Sequence, residues 1–178
     1  MTTTADDPDS ATPTDQLVRT PRTIFGPYVT LGMPVRSTVE TDDGRARITV
    51  TGRVLNGLGE PVGFTSIESC QPEGWTRSFT GPDGVYEITT VKPRPTPGRA
   101  PHLTFLLNTS RMIRPAVTCL YFPDEDKDAD ELLVRLSPEQ RATMLARRTD
   151  KGYEFDVHLA GEFETTFLGW PGLLGADE

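Results

Sequence analysis

The chain has 178 residues, a formal net charge of −8, two histidines and two cysteines. This length accommodates one domain with a single substantial core, and the acidic balance excludes the basic footprint of a non-specific nucleic-acid binder. No apolar run approaches the roughly 20 residues of a membrane helix, and two cysteines make no disulfide framework. The expectation is a protein with neither a nucleic-acid nor a membrane partner. Cys70 and Cys119 are expected as reduced, buried thiols, and a cytoplasmic location follows.

Residues 1–19 are rich in Thr, Asp and Pro and predict a disordered tail. They lack the basic and apolar regions of a secretory signal. One domain is predicted over 20–178, opening with an extended arm (20–46) and closing with a C-terminal extension. The arm carries Thr20-Pro21 and Gly26-Pro27-Tyr28, which disfavour helix.

Strands follow. Arg47 to Leu55 alternates and is β-branched, and Asn56-Gly57-Leu58-Gly59 is a turn. A second strand is predicted over Pro61 to Ser69, broken by Gln71-Pro72-Glu73-Gly74. Another runs over Val85 to Val91 after the Gly81-Pro82-Asp83-Gly84 turn. Lys92 to Pro101 is a Pro-rich loop. His102 to Leu107 and Ile113 to Phe122 are strands, with Pro115 placing the start of the second at an edge or bulge. Ser137-Pro138-Glu139-Gln140 offers an N-cap, a proline at the first helical position and a Gln three residues after the cap, so a helix is predicted to Arg148. Tyr153 to Leu159 is the last strand. Short strands separated by turn signals predict a mainly β fold, an antiparallel sandwich or barrel with one short helix.

The candidate chemistry is sparse. His102 opens a strand and is either a metal ligand or pocket wall, or a half-buried strand histidine bonded to backbone. His158 lies 56 residues away on the face of Glu154 and Asp156 and reads as solvated. Zinc and iron sites need three or four protein ligands, so no metal set is complete. The run Asp124 to Glu131 lacks the spacing of a calcium loop and reads as a solvated loop. Arg111 and Arg114 flank a turn, and either guanidinium could fork onto a carboxylate. No phosphate loop, nucleophile elbow or Cys-x-x-Cys is present.

Several landmarks recur in one order: Thr20-Pro21 with Gly26-Pro27-Tyr28, Gly52-Arg53-Val54 to Gly59-Glu60-Pro61-Val62, and Asp83-Gly84-Val85-Tyr86 to Val91-Lys92-Pro93. Ala100-Pro101-His102, Leu120-Tyr121-Phe122 and Gly161-Glu162-Phe163-Glu164-Thr165-Thr166-Phe167 complete them. Over residues 20 to 168 the chain resembles the intradiol ring-cleavage dioxygenases, and in its second half the alpha subunits of their protocatechuate-cleaving members. The resemblance implies an antiparallel β-sandwich and a hetero-oligomer in which an iron-binding beta subunit holds Fe(III) through two tyrosines and two histidines. It implies a catechol-type substrate and O2, with the ring of protocatechuate opened to 3-carboxy-cis,cis-muconate.

The ligand positions fail one by one here. His102 keeps the first histidine, Thr104 stands at the second, and Thr96 falls at one tyrosine position. The loop carrying the other tyrosine is shortened to about Gln71 to Phe79. The resemblance therefore implies a chain without catalytic or metal-ligating residues of its own. Gly26, Pro27, Tyr28 and Arg111 (or Arg114) would line the substrate pocket, with His102 as a further pocket candidate. A transthyretin-like or carboxypeptidase-regulatory-like binding module shares the Gly-Arg-Val and Asp-Gly-x-Tyr landmarks and is the alternative. A homo-oligomeric enzyme with a rearranged metal site is the third.

Overall fold

The computed structural model describes residues 23–26, 28, 31–36, 39, 44–110 and 112–169. The expected tail, most of the arm's connections, Pro27, Arg111 and the end of the C-terminal extension lie outside the described residues. Two sheets face each other as a β-sandwich. The first has the order β4-β1-β8-β7, with β9 also on β1, and the second has the order β3-β2-β5-β6. The first sheet contains β1 (Arg47–Leu55), β4 (Val85–Val91), β7 (Arg147–Thr149), β8 (Gly152–Glu154) and β9 (Val157–His158). The second sheet contains β2 (Ser66–Gln71), β3 (Gly74–Phe79), β5 (His102–Asn108) and β6 (Ala116–Tyr121).

The alternation read in the sequence places the core. Val50 and Val54 of β1, Tyr86 and Ile88 of β4, and Leu103, Phe105 and Leu107 of β5 all turn inward and are essentially inaccessible to water. Truncating one of these leucines to alanine removes about 2–5 kcal/mol, since the cavity does not collapse.

Four expectations change. The second strand begins at Ser66, not Pro61, because residues 61–65 carry the chain from one sheet to the other. Phe64 adopts φ 57° on that crossing, and Thr65 N–H donates to the Thr80 hydroxyl at 2.9 Å. Residues 71–79 are a hairpin rather than a loop: Gln71 pairs with Gly74, and Pro72-Glu73 forms the turn. The helix α1 (Pro138–Ala142) has the expected capping box, with the Ser137 hydroxyl accepting from Gln140 N–H, but stops after five residues. Thr143 donates its hydroxyl to the Gln140 carbonyl at 2.8 Å, and Met144 and Ala146 then bond to Tyr121 along the edge of β6. That edge pairing outweighs helical continuation and covers the otherwise open β6, which starts at Ala116 after Pro115 and not at the expected Ile113.

The last strand is split in two and runs parallel to β1, unlike the antiparallel pairs elsewhere. The cause is Tyr86. Its residue partner on β1 is Gly52, and its ring crosses β1 there so that the hydroxyl donates to the Phe155 carbonyl at 2.5 Å. Arg53 N–H, which would have used that carbonyl in a continuous ladder, donates instead to the Asp156 carboxylate at 2.8 Å. A Cβ at position 52 would overlap the Phe155 carbonyl. This is the physical content of the Gly-Arg-Val landmark.

Candidate functional site

The loop before β5 builds the first part of the site. Thr96 and Arg99 exchange two backbone hydrogen bonds (3.0 and 2.9 Å), with Gly98 at φ +73° between them. This tight reversal sets Arg99 above the start of β5. Within the sheet, His102 lies opposite Tyr121, while Thr104 lies between Cys119 on β6 and Cys70 on β2. Because β5 alternates, His102 and Thr104 share the face turned away from the sandwich core.

A polar network closes this face. Arg99 Nη2 donates to the Tyr121 hydroxyl at 2.7 Å and lies 3.8 Å from Cys119 Sγ, and its Nε donates to Asp130 at 3.3 Å. Asp130 is fully buried yet well supplied with donors: the backbone N–H groups of Ala100 (2.8 Å), Leu132 (2.9 Å) and Leu133 (3.0 Å), and the Tyr121 hydroxyl (3.1 Å). Burial alone would raise its pKa, but these N–H groups and the Arg99 charge hold it below the ordinary carboxylate range. Burial pushes the Tyr121 phenol and the Cys119 thiol up. His102 is lowered, chiefly by burial. Its Nδ1 lies 2.8 Å from the Ala100 carbonyl, which can only accept, so Nδ1 carries the proton and Nε2 the lone pair.

This donor set does not fit Fe(III). His102 Nε2 is an adequate ligand atom, but Thr104 offers an alcohol 3.8 Å from Cys119 Sγ, and the Tyr121 oxygen is committed to Arg99 and Asp130. Thr96 is occupied in the reversal before Arg99. Among the described residues, no group of three or more His, Cys, Asp or Glu converges.

The sequence-predicted pocket residues fall into two places. Gly26 and Tyr28 belong to the exposed arm, Tyr28 with 74% of its surface open. Phe25 N–H donates to the Met112 carbonyl at 2.8 Å, which fastens the arm to the connection between β5 and β6 where Arg114 stands half-buried. His102 is at the opposite end of β5, a seven-residue strand, so about 20 Å separates the two places. Pro27 and Arg111 lie outside the described residues.

Three further expectations are corrected. Cys70 is exposed, though both thiols are free. His158 is half-buried, its ring 6.1 Å from that of Phe163. With Phe163, Leu145 and Phe155 it lines a concavity of about 530 Å3. The acidic run is not wholly solvated: Asp130 is interior, and Asp124 binds Lys92 (2.9 Å), Arg148 (2.6 Å) and the Tyr153 hydroxyl (3.0 Å). Sequence reasoning missed Arg99, Tyr121 and Asp130 as a unit. The available signal was an aspartate just ahead of Leu132-Leu133, a carboxylate placed to accept from the N–H groups of an apolar turn.

No family model matches the chain. Among curated proteins it is 30% identical over 156 residues to the protocatechuate 3,4-dioxygenase beta chain of Burkholderia cepacia, a match covering 67% of this chain and 66% of that one. It therefore spans just under two thirds of that relative. It is 25% identical over 198 aligned positions to the protocatechuate 3,4-dioxygenase alpha chain of Pseudomonas putida, covering 88% of this chain and 98% of that one.

Two solved structures share its fold. The dioxygenase domain of a dioxygenase carbohydrate-binding protein fusion from Streptomyces sp. SirexAA-E superposes with a TM-score of 0.56 at 24% identity, over 79% of this chain and 97% of that one. Hydroxyquinol 1,2-dioxygenase from Pseudomonas putida DLL-E4 gives 0.55 at 21%, over 78% and 65%. Two relatives of matching kind, the sandwich fold and the landmarks from Gly52 to Phe167 agree in likening the chain to the intradiol ring-cleavage dioxygenases.

Proposed function

We propose that this chain is the alpha-type subunit of a heteromeric protocatechuate 3,4-dioxygenase. In this reading it holds no iron of its own and completes a pocket whose Fe(III) belongs to a beta-type partner. The complex opens the ring of protocatechuate with O2 to 3-carboxy-cis,cis-muconate in the cytoplasm. The observation that carries the reading is the outer face of β5 and β6, where a single imidazole meets an alcohol, a buried thiol and a committed phenol. Similarity along nearly the full length of the Pseudomonas putida alpha chain supports the same assignment.

The residues of this chain then bind and exclude water rather than transform the substrate. The Gly26-Pro27-Tyr28 arm covers the pocket, and Arg111 supplies a guanidinium fork for the ring carboxylate. Bound in the partner, ferric iron supplies the chelation that makes the catechol ring reactive.

The test is expression of the chain alone and together with an iron-binding family member. Colourless, inactive material alone and an iron-containing complex that consumes O2 with protocatechuate are expected. Within that complex, Tyr28→Ala and Arg111→Ala each lower kcat/KM by about tenfold or more with the assembly intact, through lost pocket cover in the first and a lost charge-assisted contact in the second. Stoichiometric iron and catechol cleavage in the isolated chain would overturn the proposal.

A further inference from the structure

We infer that the Arg99 guanidinium is the resident cation of the outer β5–β6 face, and that it keeps this face closed to metal ions. The inference deepens the reading of a chain without iron and rests on it. It concerns what replaced the metal rather than whether one is lost.

The position of Arg99 is set by strand register. Its Nη2 donates to Tyr121, the residue opposite His102, and approaches Cys119, the residue opposite Thr104. One planar group thus spans the two pairs that flank the His102–Thr104 step. The reversal at Thr96 to Arg99 delivers it there from a loop rather than from a strand.

Charge gives the second argument. Asp130 is a fully buried carboxylate, and a buried charge persists only with a counter-charge and a full set of donors. The backbone supplies three N–H groups and Tyr121 a hydroxyl, none of which carries charge. Arg99 supplies a cation within reach, at 3.3 Å. A second cation entering beside His102 would meet the guanidinium at short range in a poorly screened site. Conversely, without Arg99 the face keeps the Asp130 carboxylate and the His102 imidazole, whose Nδ1 is turned to the Ala100 carbonyl, and loses the cation that balanced them.

A histidine at position 104 beside His102 is therefore expected to gain little metal affinity while Arg99 stays, and to gain it when Arg99 is removed as well. The full-length chain is prepared as wild type, Thr104→His, Arg99→Gln, and Arg99→Gln/Thr104→His, with Arg99→Lys as the charge-conserving control. Each is titrated with Co2+, followed by the visible absorption of the bound ion and by metal content after gel filtration.

Wild type, Thr104→His and Arg99→Lys should bind no better than a His102→Ala control. The double variant should bind at least tenfold more tightly than Thr104→His. If the charge-removing variants do not fold alone, Co2+ present during refolding should rescue the double variant and not Arg99→Gln by itself.

Equal Co2+ affinity of Thr104→His and the double variant, or a double variant that neither binds nor is rescued, would overturn the role of Arg99. Tight stoichiometric metal in the wild-type chain would instead overturn the non-iron reading beneath it, so the two failures are distinguishable.

Discussion

Tyr86 in the first sheet and Tyr121 in the second are both fully buried, and their two hydroxyls are used in opposite ways. Tyr86, in the first sheet, donates to the Phe155 backbone carbonyl across a gap left by Gly52. Tyr121, in the second, bridges the charges of Arg99 and Asp130. Burial is the main cause that raises both phenols, so neither is available as a phenolate near neutral pH. The first arrangement is a backbone repair: a neutral hydrogen bond closes a ladder that would otherwise expose a buried carbonyl. The second is an electrostatic closure in which a loop arginine and a buried carboxylate meet on the outer face of β5 and β6. The same side chain thus repairs a backbone ladder where its partner is a carbonyl, and links charges where its partners are ionised.

The largest effect expected from this comparison is on the architectural side. Gly52→Ala forces a Cβ into a backbone carbonyl that cannot move without detaching β8 and β9 from β1. A loss of about 3 kcal/mol or more in urea unfolding is expected. A loss under about 1 kcal/mol would show that the ladder break at Phe155 is soft.

Next comes Asp130→Ala, which removes the acceptor shared by Arg99, Tyr121 and three backbone N–H groups. Breaking a buried charge pair costs about 3–5 kcal/mol. Because Arg99 keeps 28% of its side chain in water, about 2–3 kcal/mol is expected. This network also makes a pH prediction. Asp130 is held below its unfolded pKa, so the folded state binds its proton less readily than the unfolded chain. Its stabilisation is complete above the ordinary carboxylate value, roughly pH 4, and is lost as pH falls through the folded value. An acid titration of unfolding free energy should be steeper in wild type than in Asp130→Ala below that point. Parallel curves would remove Asp130 as the charged centre of the face.

The smallest effect sharpens the contrast itself. Tyr86→Phe leaves the Phe155 carbonyl unpaired for about 1–2 kcal/mol, with no change in pH dependence near pH 4. Tyr121→Phe should cost a similar amount but also alter the acid limb, because it takes a donor from Asp130. Indistinguishable acid limbs in the two variants would erase the distinction between repair and closure.

Much of the sandwich was legible in advance. Arg47–Leu55 and Val85–Val91 alternate up to the end of the second strand, where Thr90 and Val91 are both buried, and the strands formed where that period ran. The capping box at Ser137 was equally plain, since it is local chemistry. The extent of that helix was not, because the competitor for residues 144–146 is the edge of β6, more than 20 positions earlier in the chain. The site divides the same way. The shortage of imidazoles is a count, and His102 and Thr104 are neighbours in sequence. Arg99, Tyr121 and Asp130 meet only because a loop reversal, a strand register and a 3-10 turn at Leu133–Arg135 coincide.

By itself, then, the sequence determined what is periodic, local or countable: the strands, the cap, the acidic balance and the count of two histidines. Tertiary structure alone decided what depends on register and reach. That covers the break in the last strand at Phe155, the burial of Asp130 and the presence of a guanidinium over the His102–Thr104 step. The physical reason is that hydrogen-bond partners across strands and buried counter-charges are chosen by position in space, for which residue order supplies no distance.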